Sequence, residues 1–359
     1  MSTAPRFRHG LVVGKFYPPH VGHAWLIDEA AARCDRVTVV VAASSVETIP
    51  LEDRVRWLAW HHAATPHVTV VGAVDDHPVD YDDPDVWDLH MAVFTGAAAE
   101  VAPGVPVDAV FSGEPYGDEL ARRLRAEHHK LDRTELPTSG TAARADLVGT
   151  WATLLPEARV DLARRIVVVG AESTGTTTLA TALARHLGVT LVGEYGRSFS
   201  AAKLARARQE AAEAGRPAPA FDEVTWTTDE FTHIAAEQQA GMDRAAVAHP
   251  MVVADTDGLA TSVWHDRYIG GPHQPALVLA RVRTPCLYLL TSPDGVAFED
   301  DGLRDGEHVR TEMTATFAAV LADQDVPWAL LEGTPTVRLA RAVALVLEHG
   351  GLTELADPL

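Results

Sequence analysis

The sequence predicts an α/β protein of two domains, each built on a parallel sheet. Three observations lead there. The chain has 359 residues, enough for two ordinary cores. Short β-branched runs such as Val37-Thr38-Val39-Val40-Val41 and Ile166-Val167-Val168-Val169 alternate with segments of helical periodicity, the pattern of strands covered on both faces by crossover helices. Twice, at residues 14–23 and 170–178, an apolar run passes through a glycine-bearing loop into a helix start. Open parallel sheets hold nucleotides at such junctions.

Taken in order, residues 11–13 are the first strand and 24–32 an amphipathic helix. Between them stands Gly14-Lys15-Phe16-Tyr17-Pro18-Pro19-His20-Val21-Gly22-His23. The prolines stiffen this loop, and Gly22 lets backbone approach a ligand. His20 and His23 flank that glycine, so both imidazoles can face one phosphate beside the positive end of the helix. Residues 37–42 read as a buried strand and 51–62 as a helix, with Leu51, Val55, Leu58 and Ala59 at helical spacing. Residues 68–71 are a third strand, and the Asp- and Pro-rich stretch 75–85 is a solvent-facing loop. Residues 86–101 form a helix ended by Pro103, with Trp87 either in the core or stacking on an aromatic base. Ala109-Val110-Phe111 is a strand running into the polar turn Ser112-Gly113-Glu114-Pro115-Tyr116. Thr138-Ser139-Gly140-Thr141-Ala142-Ala143-Arg144 is a cap ahead of an apolar helical run. Its hydroxyls and N–H groups can take phosphate oxygens, with Arg144 one turn on to neutralise them.

Residues 151–164 read as a linker, which places domains at 1–150 and 165–359. The second begins with the strand 166–169, the loop Gly170-Ala171-Glu172-Ser173-Thr174-Gly175-Thr176-Thr177-Thr178 and a helix over 179–187. That layout is a P-loop, with Thr177 where a magnesium-binding hydroxyl belongs. Thr176 stands where the lysine belongs, and that lysine ordinarily neutralises the transferring phosphate. Further on come Glu194-Tyr195-Gly196-Arg197 after the short strand Leu191-Val192, then Asp255-Thr256-Asp257 closing the strand Met251-Val252-Val253-Ala254. Asp301-Gly302-Leu303-Arg304 follows the strand 286–290. Residues 201–219 read as a solvated helix and loop, and 337–349 as a terminal packing helix. Singly, each of these carboxylates would pass for a helix cap or a surface charge.

Composition narrows the classes. An apolar share of 47% and a mean hydropathy of −0.01 describe a soluble globular protein, and no apolar run approaches the ~18 residues that span a bilayer. Residues 1–8 lack the apolar core of a signal peptide. Cys34 and Cys286 have no zinc or disulfide spacing, and a cytoplasmic protein is expected. The formal net charge of −20 argues against nucleic acid as a partner. Small phosphorylated molecules remain suitable partners, and self-assembly is left open. The pairs His61-His62 and His128-His129 read as solvated or packing residues.

The first loop resembles the His-x-Gly-His motif of the nucleotidyltransferase superfamily, and residues 139–144 its Ser-x-Thr-x-x-Arg element. The Gly-Lys-Phe opening and the attached P-loop half narrow the likeness to the bifunctional NadR type, which joins a nicotinamide mononucleotide (NMN) adenylyltransferase to a ribosylnicotinamide kinase. The resemblance runs from about residue 10 to 345 and implies a Rossmann-like nucleotidyltransferase domain followed by a P-loop kinase-like domain. It implies ATP bound by Gly14, Lys15, Phe16, His20, His23, Ser139, Thr141 and Arg144. His20 and His23 would take the α- and β-phosphates, the 139–144 element the β- and γ-phosphates, and Lys15 the reacting centre. In the second half it implies ATP at Gly170, Ser173, Thr174, Gly175, Thr176, Thr177 and Thr178. Glu194, Tyr195, Arg197, Asp257 and Arg304 would serve the riboside or a lid, Thr177 and Asp255 would hold magnesium, and either Asp255 or Glu194 could be base or magnesium ligand. NMN, nicotinamide riboside and NAD are the implied small molecules. Thr176 keeps open a non-catalytic, regulatory second half, and another adenylyl or cytidylyl acceptor is the remaining alternative. With about ten residues ahead of the first strand, the helix-turn-helix of some family members is not expected.

Overall fold

The computed structural model describes residues 7–132, 138–304, 306–352 and 354–358. Of residues 1–8, only Phe7 and Arg8 lie within them. The chain divides into two compact units, one of residues 1–159 with 353–359, the other Val160–Leu352.

The first unit alternates β1 (Gly10–Gly14), α1 (Val21–Arg33), β2 (Val37–Ala43), α2 (Leu51–His61), β3 (Val68–Val74), α3 (Pro84–Val101), β4 (Ala109–Ser112), α4 (Tyr116–Leu124), β5 (Glu127–Lys130) and α5 (Gly140–Ala145). Its sheet is parallel, in the order β3-β2-β1-β4-β5. β1 and β2 sit in the middle with scarcely a solvated side chain, as expected of unbroken aliphatic runs. β3 lies at the edge, and each of its residues is half-buried or exposed. The order reverses between β1 and β4, so a crevice opens at the C-terminal ends of those two strands. Both loops singled out in the sequence feed that end.

α6 (Pro156–Leu162) contains the boundary between the units. Trp151, Leu154, Leu155 and Ala158 are buried, so most of the expected linker packs into the first unit as core. The C-terminal segment also returns to it, where the Ala356 amide donates to Thr48 Oγ1 (2.9 Å).

The second unit runs β6 (Arg164–Gly170), α7 (Thr176–Leu187), β7 (Thr190–Val192), α8 (Tyr195–Glu213), α9 (Thr228–Ala248), β8 (Met251–Asp255), α10 (Gly258–Tyr268), α11 (Gln274–Val282), β9 (Leu287–Thr291), α12 (Arg310–Ala322), β10 (Trp328–Leu331) and α13 (Pro335–His349). Its parallel sheet is ordered β10-β9-β6-β8-β7. β6 is central and again marks the reversal, with β8 on one side and β9 on the other. Leu179, Ala180, Leu183 and Ala184 of α7 cover one face of the sheet, while Met313, Phe317 and Leu321 of α12 cover the other. Spacings of three and four residues on α7, and of four on α12, make an apolar stripe one helix face wide. Among the described residues no helix is long and apolar enough to cross a membrane.

Candidate functional site

Each unit gathers its candidate residues at its own strand reversal. In the first, α1 begins three residues earlier than periodicity indicated, so the second histidine lies in its first turn and His20 is its N-cap. The rings of His20 and His23 stack with centroids 3.6 Å apart, and His23 Nδ1 accepts the His20 backbone N–H (3.2 Å). Phe16 meets the His23 ring edge-on at 4.8 Å. Gly22 is tied to this stack by contact, since a Cβ there would lie 3.1 Å from the His20 ring and 3.2 Å from Thr138 Cγ2.

Ser139 caps α5, its hydroxyl accepting the Ala142 N–H (3.1 Å). Arg144 reaches back across the crevice mouth. Its Nη1 donates to the Tyr17 carbonyl (3.0 Å) and its Nη2 to Thr141 Oγ1 (3.3 Å). Two elements more than a hundred residues apart thus meet, with the imidazole stack, the guanidinium and two helix N-termini gathered at one end of the sheet. Lys15 is engaged there as well. Its Nζ donates to Glu47 Oε1 (3.0 Å), and the other oxygen of that buried carboxylate accepts from Arg54 Nη1 (2.6 Å). Arg54 is fully buried and also donates to the carbonyls of Lys15 and Ile49. Glu47 and Arg54 escaped the sequence reading because a single carboxylate and a single arginine in a helical run carry no spacing signal. Trp87 is a core residue whose Nε1–H donates to the Tyr81 carbonyl (3.1 Å).

In the second unit the loop after β6 turns through two left-handed residues, Ser173 (φ 55°) and Gly175 (φ 88°). At Gly175 that backbone favours glycine over any residue with a Cβ. Thr177 donates from Oγ1 to Asp255 Oδ2 (2.6 Å), joining the loop to the end of β8. Thr174 Oγ1 turns inward to the Ala171 carbonyl (2.7 Å) and Thr291 Oγ1 (2.6 Å). Burial raises the Asp255 carboxyl, against the Thr177 and Thr176 hydroxyls and Arg197, which lower it. Burial likewise pushes Glu194 up to about 7, with Asp255 adding to the rise and Arg197 opposing it.

A cleft of about 260 Å³ opens over this loop, lined by Gly170, Ser173, Gly175, Thr176, Thr177 and Thr178, by Glu194, Arg197, Asp255 and Arg304, and by aromatic rings. The rings come from Phe221, Trp226, Phe231, Trp264 and Tyr268. Trp226 lies 5.5 Å from Phe231 and 5.7 Å from Tyr268, centroid to centroid. Sequence reading missed them because they spread over α9, α10 and the segment before them. Arg197 and Arg304 both pair with Asp301. Two expected members turn elsewhere. Asp257 is buried as the N-cap of α10, accepting from Ala260 N (3.1 Å) and from the Tyr288 hydroxyl (2.6 Å). Tyr195 directs its hydroxyl to His233 Nε2 (3.0 Å) and donates its N–H to Gln238 (2.9 Å).

Comparison with known proteins shows what the two units resemble. A family model described as an AAA domain matches residues 165–338. The Trifunctional NAD biosynthesis/regulator protein NadR of Escherichia coli (strain K12) is 25% identical over 364 residues, covering 95% of this chain and 83% of that protein. The chain resembles NadR proteins along nearly its whole length. The NadR of Salmonella typhimurium is 24% identical over 282 residues, 74% of this chain and 64% of its own length. Two solved NadR structures share the fold. One, in complex with NR, has a TM-score of 0.63 at 21% identity and full coverage of both chains. The other, in complex with NAD and AMP-PNP, has a TM-score of 0.59 at 21% identity, covering 99% of this chain and 100% of its own.

Proposed function

We propose that the first unit transfers the adenylyl group of ATP to NMN, giving NAD and pyrophosphate. One observation carries this reading: Arg144, held by the Tyr17 carbonyl, stands over the loop that bears the His20–His23 stack. An oxygen of the NMN phosphate attacks the α-phosphorus, and the bond from that phosphorus to the bridging oxygen breaks, releasing pyrophosphate. No covalent enzyme intermediate is needed, so the chain's task is alignment and charge stabilisation. His20 and His23 hold α- and β-phosphate oxygens. Ser139, Thr141 and Arg144 hold the β- and γ-phosphates, together with the amides that open α5. Lys15, fixed by Glu47, supplies a positive charge whose position does not wander. NadR relatives named for NAD biosynthesis, and solved with NAD and AMP-PNP, support the assignment. It is tested by incubating the chain with NMN, ATP and magnesium and measuring NAD and pyrophosphate. Neither product appearing overturns it.

The second unit, on the same proposal, phosphorylates the 5′-hydroxyl of nicotinamide riboside. The hydroxyl oxygen attacks the γ-phosphorus of ATP, its proton passes to a cleft carboxylate (Asp255 or Glu194), and ADP leaves. The aromatic rings of the cleft suit a cationic pyridinium ring. Thr177 and Asp255, already in contact, fit a magnesium ion that takes one carboxylate, one hydroxyl and its remaining oxygens from phosphate and water. Bound there, magnesium would neutralise charge on the β- and γ-phosphates. Thr176 favours a second reading, in which this unit binds nucleotide and regulates the first without transfer. ATP-dependent formation of NMN from the riboside by a His23→Ala chain separates the two.

A further inference from the structure

The loop of the second unit lacks its lysine, yet two arginines lie directly behind it. Arg338 of α13 is 4% exposed. Its Nη1 donates to the Thr174 carbonyl (2.8 Å), its Nη2 to those of Ser292 (2.8 Å) and Asp294 (3.2 Å), and its Nε to that of Gly333 (2.8 Å). Arg310, first residue of α12 and also 4% exposed, donates from Nη2 to the carbonyls of Ser173 (2.9 Å), Val296 (3.0 Å) and Pro293 (3.3 Å). All of these bonds end on neutral backbone oxygens. Glu307, largely solvated, lies 3.9 Å from Arg310 Nη1, and the carboxylates of Glu332 and Asp294 act on Arg338 through space without a hydrogen bond to it. Guanidinium groups do not deprotonate in proteins. The fold therefore keeps two full positive charges in a place where burial disfavours them.

Their position gives those charges a use. A peptide is planar and trans, so the N–H of each unit points opposite to its carbonyl. The Ser173 carbonyl belongs to the peptide that presents the Thr174 N–H, and the Thr174 carbonyl to the one that presents the Gly175 N–H. A guanidinium bonded to the oxygen turns the N–H away from the arginine. It also polarises the unit, strengthening the next hydrogen bond by roughly 10–30%. We infer that Arg310 and Arg338 do much of the lysine's electrostatic work from behind the loop. They are positioning residues that prepare the 173–175 peptides to bind the triphosphate of a nucleotide, and they allow a threonine at position 176. The inference rests on the reading above for where ATP sits, and not on whether its phosphate is transferred.

The test is calorimetric binding of AMP-PNP with magnesium to the full chain carrying His23→Ala and Arg144→Ala, which confines binding to the second unit. Arg338→Met is expected to weaken binding about tenfold, and Arg338→Lys, which keeps the charge, about threefold or less. Adding Thr176→Lys to Arg338→Met should recover most of the loss, and should gain more there than in a chain with Arg338 intact. Equal losses from Arg338→Lys and Arg338→Met, with no recovery by Thr176→Lys, would reduce the arginine to scaffold and overturn the inference. Absence of AMP-PNP binding before Arg338 or Arg310 is changed would overturn it too. Should Arg338→Met fail to fold, Arg310→Met and Arg310→Lys make the same comparison. A chain that phosphorylates no riboside, but loses AMP-PNP in this pattern, contradicts the kinase and upholds the arginines.

Discussion

The account stands on a few side chains at the scale of single residues. His23 has its ring against His20 and its Nδ1 on the His20 amide, and the proposal assigns it to a phosphate oxygen of ATP. His23→Ala is expected to cut adenylyl transfer by ~10²–10³, the usual loss for one donor aimed at developing charge. Riboside phosphorylation should survive. Arg144→Ala should raise the KM for ATP more than that for NMN, because its guanidinium is assigned to phosphates of ATP alone. Initial rates with each substrate varied in turn decide this, and an effect confined to NMN contradicts the assignment. Glu194 gives a pH prediction. Its carboxyl is raised from 4.5 to about 7 in the folded chain, so the native state keeps a proton that the unfolded chain releases. Stability of the metal-free second unit should fall as pH rises between those values, and Glu194→Gln should remove that part of the slope. Denaturant unfolding across the range reports it, and an unchanged slope in the variant contradicts it. The motif residues were legible at this scale because loop chemistry repeats in recognisable spacings. Glu47, the arginines behind the loop and the aromatic rings were not, since each depends on a partner distant in the chain.

Helix starts hold most of the candidate residues at the scale of elements, and they are where pattern reading and structure differ. α1 and α8 begin inside their motifs, at Val21 and Tyr195, earlier than the starts at 24 and 201 read from amphipathic pattern and from composition, because polar residues in a first turn break the helical signal. β3 extends three residues beyond the expected run, carried on by pairing with β2. β5 is the clearest miss. Its sequence, Glu-His-His-Lys, has no strand signature, and pairing with β4 makes it one. There His128 bridges Ser112 Oγ (2.9 Å) and Asp118 (2.7 Å), fixing the end of β4 beside the crevice. The second residue of α4 must be glycine for this bridge to fit. A Cβ on Gly117 would lie 2.1 Å from Ser112 Oγ and 2.3 Å from His128 Nε2. Gly117→Ala should cost the first unit about 1–3 kcal/mol through overpacking. Gly96, exposed in α3 with nothing within 4 Å of such a Cβ, should instead gain ~0.5–1 kcal/mol on change to alanine. Thermal unfolding of the pair checks both signs, and a neutral Gly117→Ala contradicts the packing argument.

The two halves, taken as whole units, are variations on one plan. A parallel sheet reverses its winding beside a central strand, and the loop leaving that strand leads into a helix start of the kind suited to phosphate. Alternating β-branched runs and helical periodicity foretold that architecture for both. Strand order and the burial of residues 151–158 lay beyond a single sequence, because they follow from long-range packing. The central claim is that the first unit makes NAD at the His20–His23–Arg144 site. The most direct measurement supplies NMN, ATP and magnesium to the native chain and to His23→Ala, and follows NAD together with pyrophosphate. The account predicts the two products in equal amounts from the native chain and at most about a hundredth of that rate from the variant. NAD formed at the native rate by His23→Ala, or by neither chain, would contradict it.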